Sequence, residues 1–99
     1  MNIAALREGA ADATVFLKAL ANESRLLILC FLAEGEKSVG ELQALMDLSQ
    51  SALSQHLAVL RRDGLVETRK SGQTVYYRLA SEATEATMGL LYDYFCKAD

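Results

Sequence analysis

The sequence predicts a mainly α-helical fold of about five helices with one small β-hairpin. Leucines recur at helical spacing through residues 50–62, two strand-like segments flank residues 70–73, and proline is absent. With 99 residues, the chain is expected to form a single domain spanning residues 1–99. Its hydrophobic fraction of 52% exceeds what so small a core can bury, so we expect a homodimer.

The first two helices are predicted from apolar spacing and from residues that favour helix ends. Residues 3–20 carry an apolar stripe at helical period, which indicates an amphipathic helix. A second helix is expected over Glu23–Ala33, with Asn22 as its N-cap and Gly35 beyond its end. Its central run, residues 26–32, is apolar on every side, which is typical of a helix buried within a domain.

A helix-turn-helix is predicted between residues 38 and 64. The sequence Ser38-Val39-Gly40-Glu41 forms a capping box, which starts a short third helix extending through Met46. A fourth helix follows Ser49 and ends at Gly64. Two short helices joined by a tight turn, the second of them facing outward, are the arrangement of a helix-turn-helix.

The fourth helix has an apolar arc and a polar arc at about 100° per residue. The apolar arc contains Ala52, Leu53, Leu57, Val59 and Leu60. The opposite arc contains Gln50, Ser51, Ser54, Gln55, Ala58, Arg61 and Arg62. Gln can bond adenine and Ser can bond either base of a pair, and their short side chains allow close approach. The polar arc therefore predicts contacts to a DNA groove, whereas an ordinary surface helix would be rich in Glu and Lys.

A β-hairpin is predicted directly after the helix-turn-helix. Residues 65–69 and 74–79 are strand-like, and the four-residue loop Lys70–Gln73 between them contains glycine. A hairpin in this position is the wing of a winged helix-turn-helix. Arg69 and Lys70, beside its tip, are placed to meet phosphates or the minor groove, although a hairpin alone would explain the pattern without DNA.

A last helix is expected over Ser81–Cys96. Its apolar residues include Met88, Leu91 and Phe95. Together with the first helix it offers more apolar surface than the small core can use. We therefore expect the first and last helices to form the interface of the homodimer.

Positive charge is concentrated in the middle of the chain, although the net charge of the whole is −3. Residues 1–49 carry a net −3 and residues 79–99 carry a net −3. Residues 50–78 carry a net +3, from Arg61, Arg62, Arg69, Lys70 and Arg78 against Asp63 and Glu67. This local excess over the predicted groove-facing helix is the charge pattern that DNA binding requires.

The order of helices, the segment SQSALSQHLAVLRRDGLV and the wing TRKSGQTVYYRL resemble the ArsR/SmtB family of bacterial repressors. The resemblance extends over nearly the whole chain. It implies a winged-helix homodimer that binds a palindromic double-stranded DNA operator and is released by an inducer. Carried over by position, the DNA contacts implied by the family fall on Gln50, Ser51, Ser54, Gln55, Arg69, Lys70 and Gln73.

Two metal sites used in that family lack their ligands in this chain. The place of a cysteine-containing metal motif on the third helix reads Glu41-Leu42-Gln43-Ala44-Leu45, without a thiolate. The family's other site uses Asp and His pairs on the last helix, but the only histidine is His56, which falls in the apolar arc of the fourth helix. We expect no metal and no cofactor, with a metal-responsive repressor of the same fold as an alternative.

The two cysteines, Cys30 and Cys96, resemble those of the thiol- and persulfide-sensing branch of the family. In that branch, cysteines on the second and last helices react with persulfides or oxidants and become cross-linked. The resemblance implies a reactive sulfur species or an oxidant as inducer, and leaves peroxide, polysulfide and organic persulfide open. A free cysteine in an apolar helix also packs as a small hydrophobe, so a redox-insensitive regulator is the other alternative.

Other functional classes have less support. The cysteines form no CxxC motif and have no acid–base partner nearby in sequence, which argues against a thiol-redox enzyme. The longest apolar run, Leu26–Ala33, is too short to span a membrane, and no secretion signal is evident at the N-terminus. We expect a cytoplasmic protein with no membrane partner.

Overall fold

The computed structural model describes residues 1–96, which form five α-helices and a three-stranded antiparallel sheet. In chain order the elements are α1 (Ile3–Leu20), α2 (Glu23–Ala33), β1 (Lys37–Ser38), α3 (Val39–Leu45), α4 (Gln50–Arg62), β2 (Val66–Ser71), β3 (Thr74–Leu79) and α5 (Glu82–Leu91). A π-helical turn, Tyr92–Cys96, continues α5. The winged helix-turn-helix predicted from the sequence is confirmed. None of the helices within these residues is long and apolar enough to cross a membrane.

The helix starts follow the capping residues in the sequence. The side-chain oxygen of Asn22 accepts a hydrogen bond from the Arg25 amide at 3.0 Å and so caps α2, as predicted. The capping box of α3 is complete, since Ser38 Oγ accepts from the Glu41 amide and the Glu41 carboxylate accepts from the Ser38 amide. These local bonds fix where α3 begins, and thereby position the helix-turn-helix.

The wing is tighter than the sequence predicted. Ser71 pairs with Thr74 in the β-ladder, so the loop consists of Gly72 and Gln73 alone rather than of four residues. Gly72 has a φ of 62°, a left-handed conformation that glycine adopts without steric strain. The predicted first strand was therefore too short, and Lys70 belongs to β2 and not to the loop.

A third strand, β1, was missed by the sequence reasoning. It pairs with β3 through Lys37↔Tyr77 and Ser38↔Tyr76, which places β3 at the centre of the sheet. Two residues are too few to show the alternation that identifies a strand. Through this pairing, the connection between α2 and α3 is joined to the wing.

The core lies where α2, α3 and α4 meet the base of the wing. Its buried members are Ala19, Ile28, Leu29, Leu32, Leu42, Met46, Leu53, Leu57, Leu60, Leu65, Val66, Leu79 and Met88. Burying each of the larger side chains contributes about 1.5–3 kcal/mol. The described part of α1 places only one residue, Ala19, fully in this core, so most of the apolar stripe of α1 lies outside it.

The predicted last helix changes its winding before its end. The α-helical part stops at Leu91, and residues 92–96 form hydrogen bonds of the wider π type. The prediction of one α-helix through Cys96 was wrong in this detail, because apolar spacing does not distinguish the two windings over a single turn. The π turn carries Cys96.

Candidate nucleic-acid interface and thiol pair

The faces of α4 are those that its periodicity predicted. Leu53, Leu57 and Leu60 are buried in the core, and Ala52 and Val59 are partly buried. All seven residues of the opposite arc are exposed: Gln50, Ser51, Ser54, Gln55, Ala58, Arg61 and Arg62. His56 is partly buried, on the side expected for it. The structure thus leaves four uncharged hydrogen-bonding side chains on one accessible helical face, with two arginines at its end.

The turn between α3 and α4 is held by a side chain that the sequence reasoning did not select. Gln43 Nε2 donates a hydrogen bond to the carbonyl oxygen of Leu48 at 2.6 Å. Ser49 then caps α4, its side chain accepting from the Ala52 amide at 3.1 Å. With Leu42 buried beneath them, these bonds fix the angle at which α4 projects. Gln43 carries no sequence signal for this role, because the bond depends on the path of the turn.

The three candidate residues of the wing are in different environments. Gln73 is exposed in the loop, and Lys70 is exposed on β2 opposite Val75. Arg69 lies further from the tip, opposite Tyr76, with its guanidinium 4.7 Å from the centre of that ring. Arg69 also forms an ion pair with Glu36, so its charge is partly neutralised within the protein.

Intramolecular ion pairs engage three of the five cations between residues 50 and 78. Arg62 pairs with Asp63 at 3.0 Å, Arg78 pairs with Glu67 at 2.7 Å, and Arg69 pairs with Glu36. Within residues 1–96, Arg61 and Lys70 form no salt bridge. The sequence showed the excess of positive charge in this segment, but not which cations are already paired.

These pairs also shift the titration of their carboxylates. A hydrogen bond from Arg69 lowers the pKa of Glu36, and a hydrogen bond from Arg62 lowers the pKa of Asp63. Each carboxylate therefore stays ionised, and paired with its arginine, to a lower pH than an unpaired carboxylate would.

The two cysteines are free thiols, Cys30 on α2 and Cys96 at the last residue of the π turn. Cys30 borders an open apolar pocket of about 610 Å³, whose walls include Phe31, Leu79, Met88 and Tyr92. Both cysteine residues are exposed rather than packed in the core. Cys30 is therefore not part of the buried core of the single chain, and the redox-insensitive alternative stays a prediction.

The thiol of Cys30 is influenced by that of Cys96. Partial burial raises the pKa of Cys30, and the nearby Cys96 raises it further. A raised pKa lowers the fraction of thiolate at neutral pH, and the thiolate is the nucleophilic form. The influence of Cys96 indicates that the fold brings two cysteines from distant parts of the sequence near each other, and the raised pKa leaves Cys30 with less thiolate than an unperturbed thiol.

Apolar side chains remain exposed on α1 and at the end of the chain. On α1 they are Ile3, Leu6, Val15 and Leu17, and after Gly89 they are Leu90, Tyr92, Tyr94 and Phe95. The rings of Tyr94 and Phe95 contact edge to face, with centroids 5.0 Å apart. These are the two helices that the sequence assigned to a dimer interface, and their exposure in a single chain supports that prediction.

Within residues 1–96, His, Cys, Asp and Glu side chains form no group of three or more that could hold a metal ion.

Comparisons with known proteins agree with this geometry. Residues 22–68, which span α2 to the first part of β2, match the family described as "Bacterial regulatory protein, arsR family". The transcriptional activator HlyU of Vibrio cholerae is 56% identical over 99 residues, which cover 100% of this chain and 92% of that protein.

Solved structures show the same architecture. Reduced HlyU from Vibrio cholerae aligns with a TM-score of 0.87 at 56% identity, covering 93% of this chain and 97% of that chain. The transcriptional repressor BigR from Xylella fastidiosa aligns with a TM-score of 0.88 at 38% identity, covering 99% and 100%. The resemblance noted from the sequence is confirmed over the whole fold.

Proposed function

Since this chain belongs to the ArsR family of bacterial transcriptional regulators, we propose that it binds a palindromic operator as a homodimer and is switched by cross-linking Cys30 to Cys96. Its relatives are regulators and not enzymes, and DNA is the partner that the family implies. The observation that carries the proposal is the exposed polar face of α4, which leads into a wing with an accessible lysine. The proposal of a thiol switch is supported by two free cysteines, of which Cys96 influences the pKa of Cys30.

Base reading is assigned to the N-terminal half of α4. Gln50 and Gln55 can each donate to and accept from adenine, while Ser51 and Ser54 can bond either base of a pair. The second helix of a helix-turn-helix enters the major groove with its N-terminal residues toward the bases. The exposure of all four side chains is what such an approach needs.

Backbone contacts are assigned to the wing. Lys70 and Gln73 are exposed near the tip, where they can bond phosphates or enter the minor groove. Arg69 can contribute once its ion pair with Glu36 opens. In a dimer, each contact is made twice, on half-sites about one helical turn apart.

The proposed switch is a thiol reaction whose oxidant is the inducer. With a polysulfide, one cysteine thiolate attacks a sulfur atom of the polysulfide, keeps the transferred sulfur atoms and releases a shorter polysulfide. When the adduct carries two or more transferred sulfur atoms, the second thiolate attacks the sulfur next to the terminal one and expels the terminal sulfur as hydrosulfide, which leaves a bridge with at least one extra sulfur. With peroxide, the first thiolate attacks a peroxide oxygen and releases hydroxide to form a sulfenic acid, and the second thiol then displaces water to give a disulfide.

We expect Cys96 to be the first nucleophile, because Cys30 borders the pocket and burial raises the pKa of its thiol, which lowers its thiolate fraction. In the Cys30→Ser protein, brief exposure to polysulfide should leave a persulfide on Cys96. In the Cys96→Ser protein, modification of Cys30 should be slower. Intact-mass time courses measure both rates, and faster modification of Cys30 would reverse the assigned order.

The nature of the bridge is tested by intact-mass spectra of the reduced protein after brief exposure to polysulfide or to peroxide. Extra sulfur atoms held between Cys30 and Cys96 only after polysulfide would support a persulfide sensor. A plain disulfide formed by both reagents would indicate a general oxidant switch. No cross-link with either reagent would contradict the thiol switch and favour a redox-insensitive regulator.

A further inference from the structure

We infer that Glu36 is an internal competitor of the DNA phosphates for Arg69, which holds this arginine against the sheet until DNA displaces the carboxylate. The inference rests on the proposed DNA-binding function, and concerns how the wing engages DNA. Glu36 lies in the connection between α2 and α3, directly before β1. No sequence pattern singled it out.

The contact between the two residues engages one edge of the guanidinium group, formed by Nε and Nη2. Arg69 Nε donates to Glu36 Oε1 at 3.1 Å and to Oε2 at 3.2 Å. Arg69 Nη2 also donates to Oε1. The ring of Tyr76 covers one face of the same group at 4.7 Å. The carboxylate and the aromatic ring therefore orient the side chain of Arg69, and the carboxylate also neutralises its charge.

This geometry is equivalent to that of phosphate recognition. A guanidinium offers a planar fork of donors that fits a carboxylate and a phosphate in the same way. While Glu36 occupies Nε and Nη2, a phosphate oxygen cannot use that edge. Glu36 therefore stands in for the phosphate in the DNA-free protein.

The pair is exposed enough to exchange. The side chains of Arg69 and Glu36 are 47% and 27% exposed, and exposed ion pairs are weak. The dense negative charge of a duplex can displace such a carboxylate, whereas a buried pair would resist. Lys70, the next residue, forms no salt bridge within residues 1–96 and is available from the start. The wing thus has one cation, Lys70, that can bind a phosphate at once, and a second, Arg69, that must first leave Glu36.

The competition is measurable with a mixed-sequence duplex of about 30 base pairs, which spans two half-sites one helical turn apart. Its affinity is followed by fluorescence anisotropy for the wild type, Glu36→Gln, Arg69→Gln and the double variant at several salt concentrations. Glu36→Gln should tighten binding about 3- to 10-fold, because each protomer no longer breaks a surface ion pair. In the Arg69→Gln background the same change should have little effect.

Glu34→Gln is the matched control. It removes a carboxylate two residues away, whose contact to Lys37 is long at 3.8 Å and involves neither Arg69 nor Lys70. Its effect on duplex affinity should stay within about twofold, as for surface charges outside an interface. Equal tightening by Glu36→Gln with and without Arg69 would overturn the inference in favour of a long-range charge effect. Weaker binding by Glu36→Gln would also overturn it, since the pair would then position the wing for DNA.

Failure of this inference can be separated from failure of the proposed function. If Lys70→Gln and Ser54→Glu weaken duplex binding but Glu36→Gln leaves it unchanged, DNA binding stands and the competition does not. If none of these variants changes the affinity, the proposed DNA surface itself is wrong.

Discussion

The exposed polar face of α4 and the thiol pair are built in opposite ways. The exposed face of α4 is made of residues from one short segment, whose helical period alone sets their direction. The thiol pair joins α2 to the π turn at the end of the described chain, and only the tertiary fold brings them together. The face of one helix can thus be set by local sequence, whereas a pair of side chains from distant segments depends on how those segments pack.

The two regions also differ in their surroundings. On α4 the polar side chains of the N-terminal half are exposed and uncharged, with arginines at the end of the helix. Cys30 borders an apolar pocket, and partial burial raises the pKa of its thiol. The polar face of α4 is thus open to a large partner, whereas the Cys30 thiol lies partly covered beside an apolar cavity.

The largest expected effect is on the α4 face. Ser54→Glu should reduce affinity for a duplex selected from a random library by roughly 100-fold or more, because the carboxylate replaces a base contact and repels phosphates. Ser54→Thr keeps the hydroxyl and should retain most of the affinity. Circular dichroism should show both variants folded, since Ser54 is exposed. Full affinity in the glutamate variant would remove α4 from the interface.

The next effect concerns the dimer, on which paired half-site binding depends. Leu6→Glu should convert the protein to monomers, because it places a charge within the exposed apolar surface of α1, and duplex affinity should fall about 10- to 100-fold. Leu27→Glu is the control, since Leu27 on α2 is similarly exposed (45% against 51%) but lies outside α1 and α5. Light scattering against concentration measures the mass. If the Leu6→Glu protein still has the mass of a dimer, the assigned interface is wrong.

A smaller effect is expected from the wing. Lys70→Gln should weaken binding to all sequences by a few fold and lower the salt slope by about one per protomer. Arg78→Gln serves as its control, because Arg78 is already paired with Glu67 across the strands. Affinity titrations at several salt concentrations give both slopes. If Arg78→Gln lowers the slope as much as Lys70→Gln, ion pairing does not decide which cations meet DNA.

The smallest effect is on stability in acid. The pKa of Glu36 and that of Asp63 are both lowered in the folded protein, by Arg69 and by Arg62. Such groups contribute stability above their unfolded pKa, and the contribution is lost as the pH falls through the folded pKa. The Glu36→Gln/Asp63→Asn protein should therefore lose less unfolding free energy than the wild type between about pH 6 and pH 3 in urea titrations. An unchanged pH dependence would show that these pairs do not stabilise the fold.

Features that depend on residues close in sequence could be predicted, and features that depend on contacts between distant segments could not. The start of α2 at Asn22, the capping box of α3 and the faces of α4 depend on neighbouring residues, and all were predicted. The two-residue strand β1 and the Glu36–Arg69 pair depend on contacts between distant segments, and neither has a local signature. For the same reason, charge counting revealed the basic segment but not which of its cations are paired.

The two cysteines have both local features and features that depend on tertiary contacts. Their positions on the second and last helices were visible in the sequence, and the family resemblance implied that they act together. Neither the pocket beside Cys30 nor the influence of Cys96 on its thiol could be predicted from spacing, because both depend on how α5 and the π turn lie against α2 and β3.

The most direct test of the account is the ratio of duplex affinities before and after the thiols react. The selected duplex is titrated with reduced protein and with protein whose complete Cys30–Cys96 cross-linking by polysulfide has been verified by mass. A coupling of about 1–3 kcal/mol predicts an affinity 5- to 150-fold lower for the cross-linked protein. Cys30→Ser and Cys96→Ser should each bind as the reduced wild type does and should not respond to polysulfide. Equal affinities for the reduced and fully cross-linked proteins would contradict the claim that this thiol pair controls DNA binding.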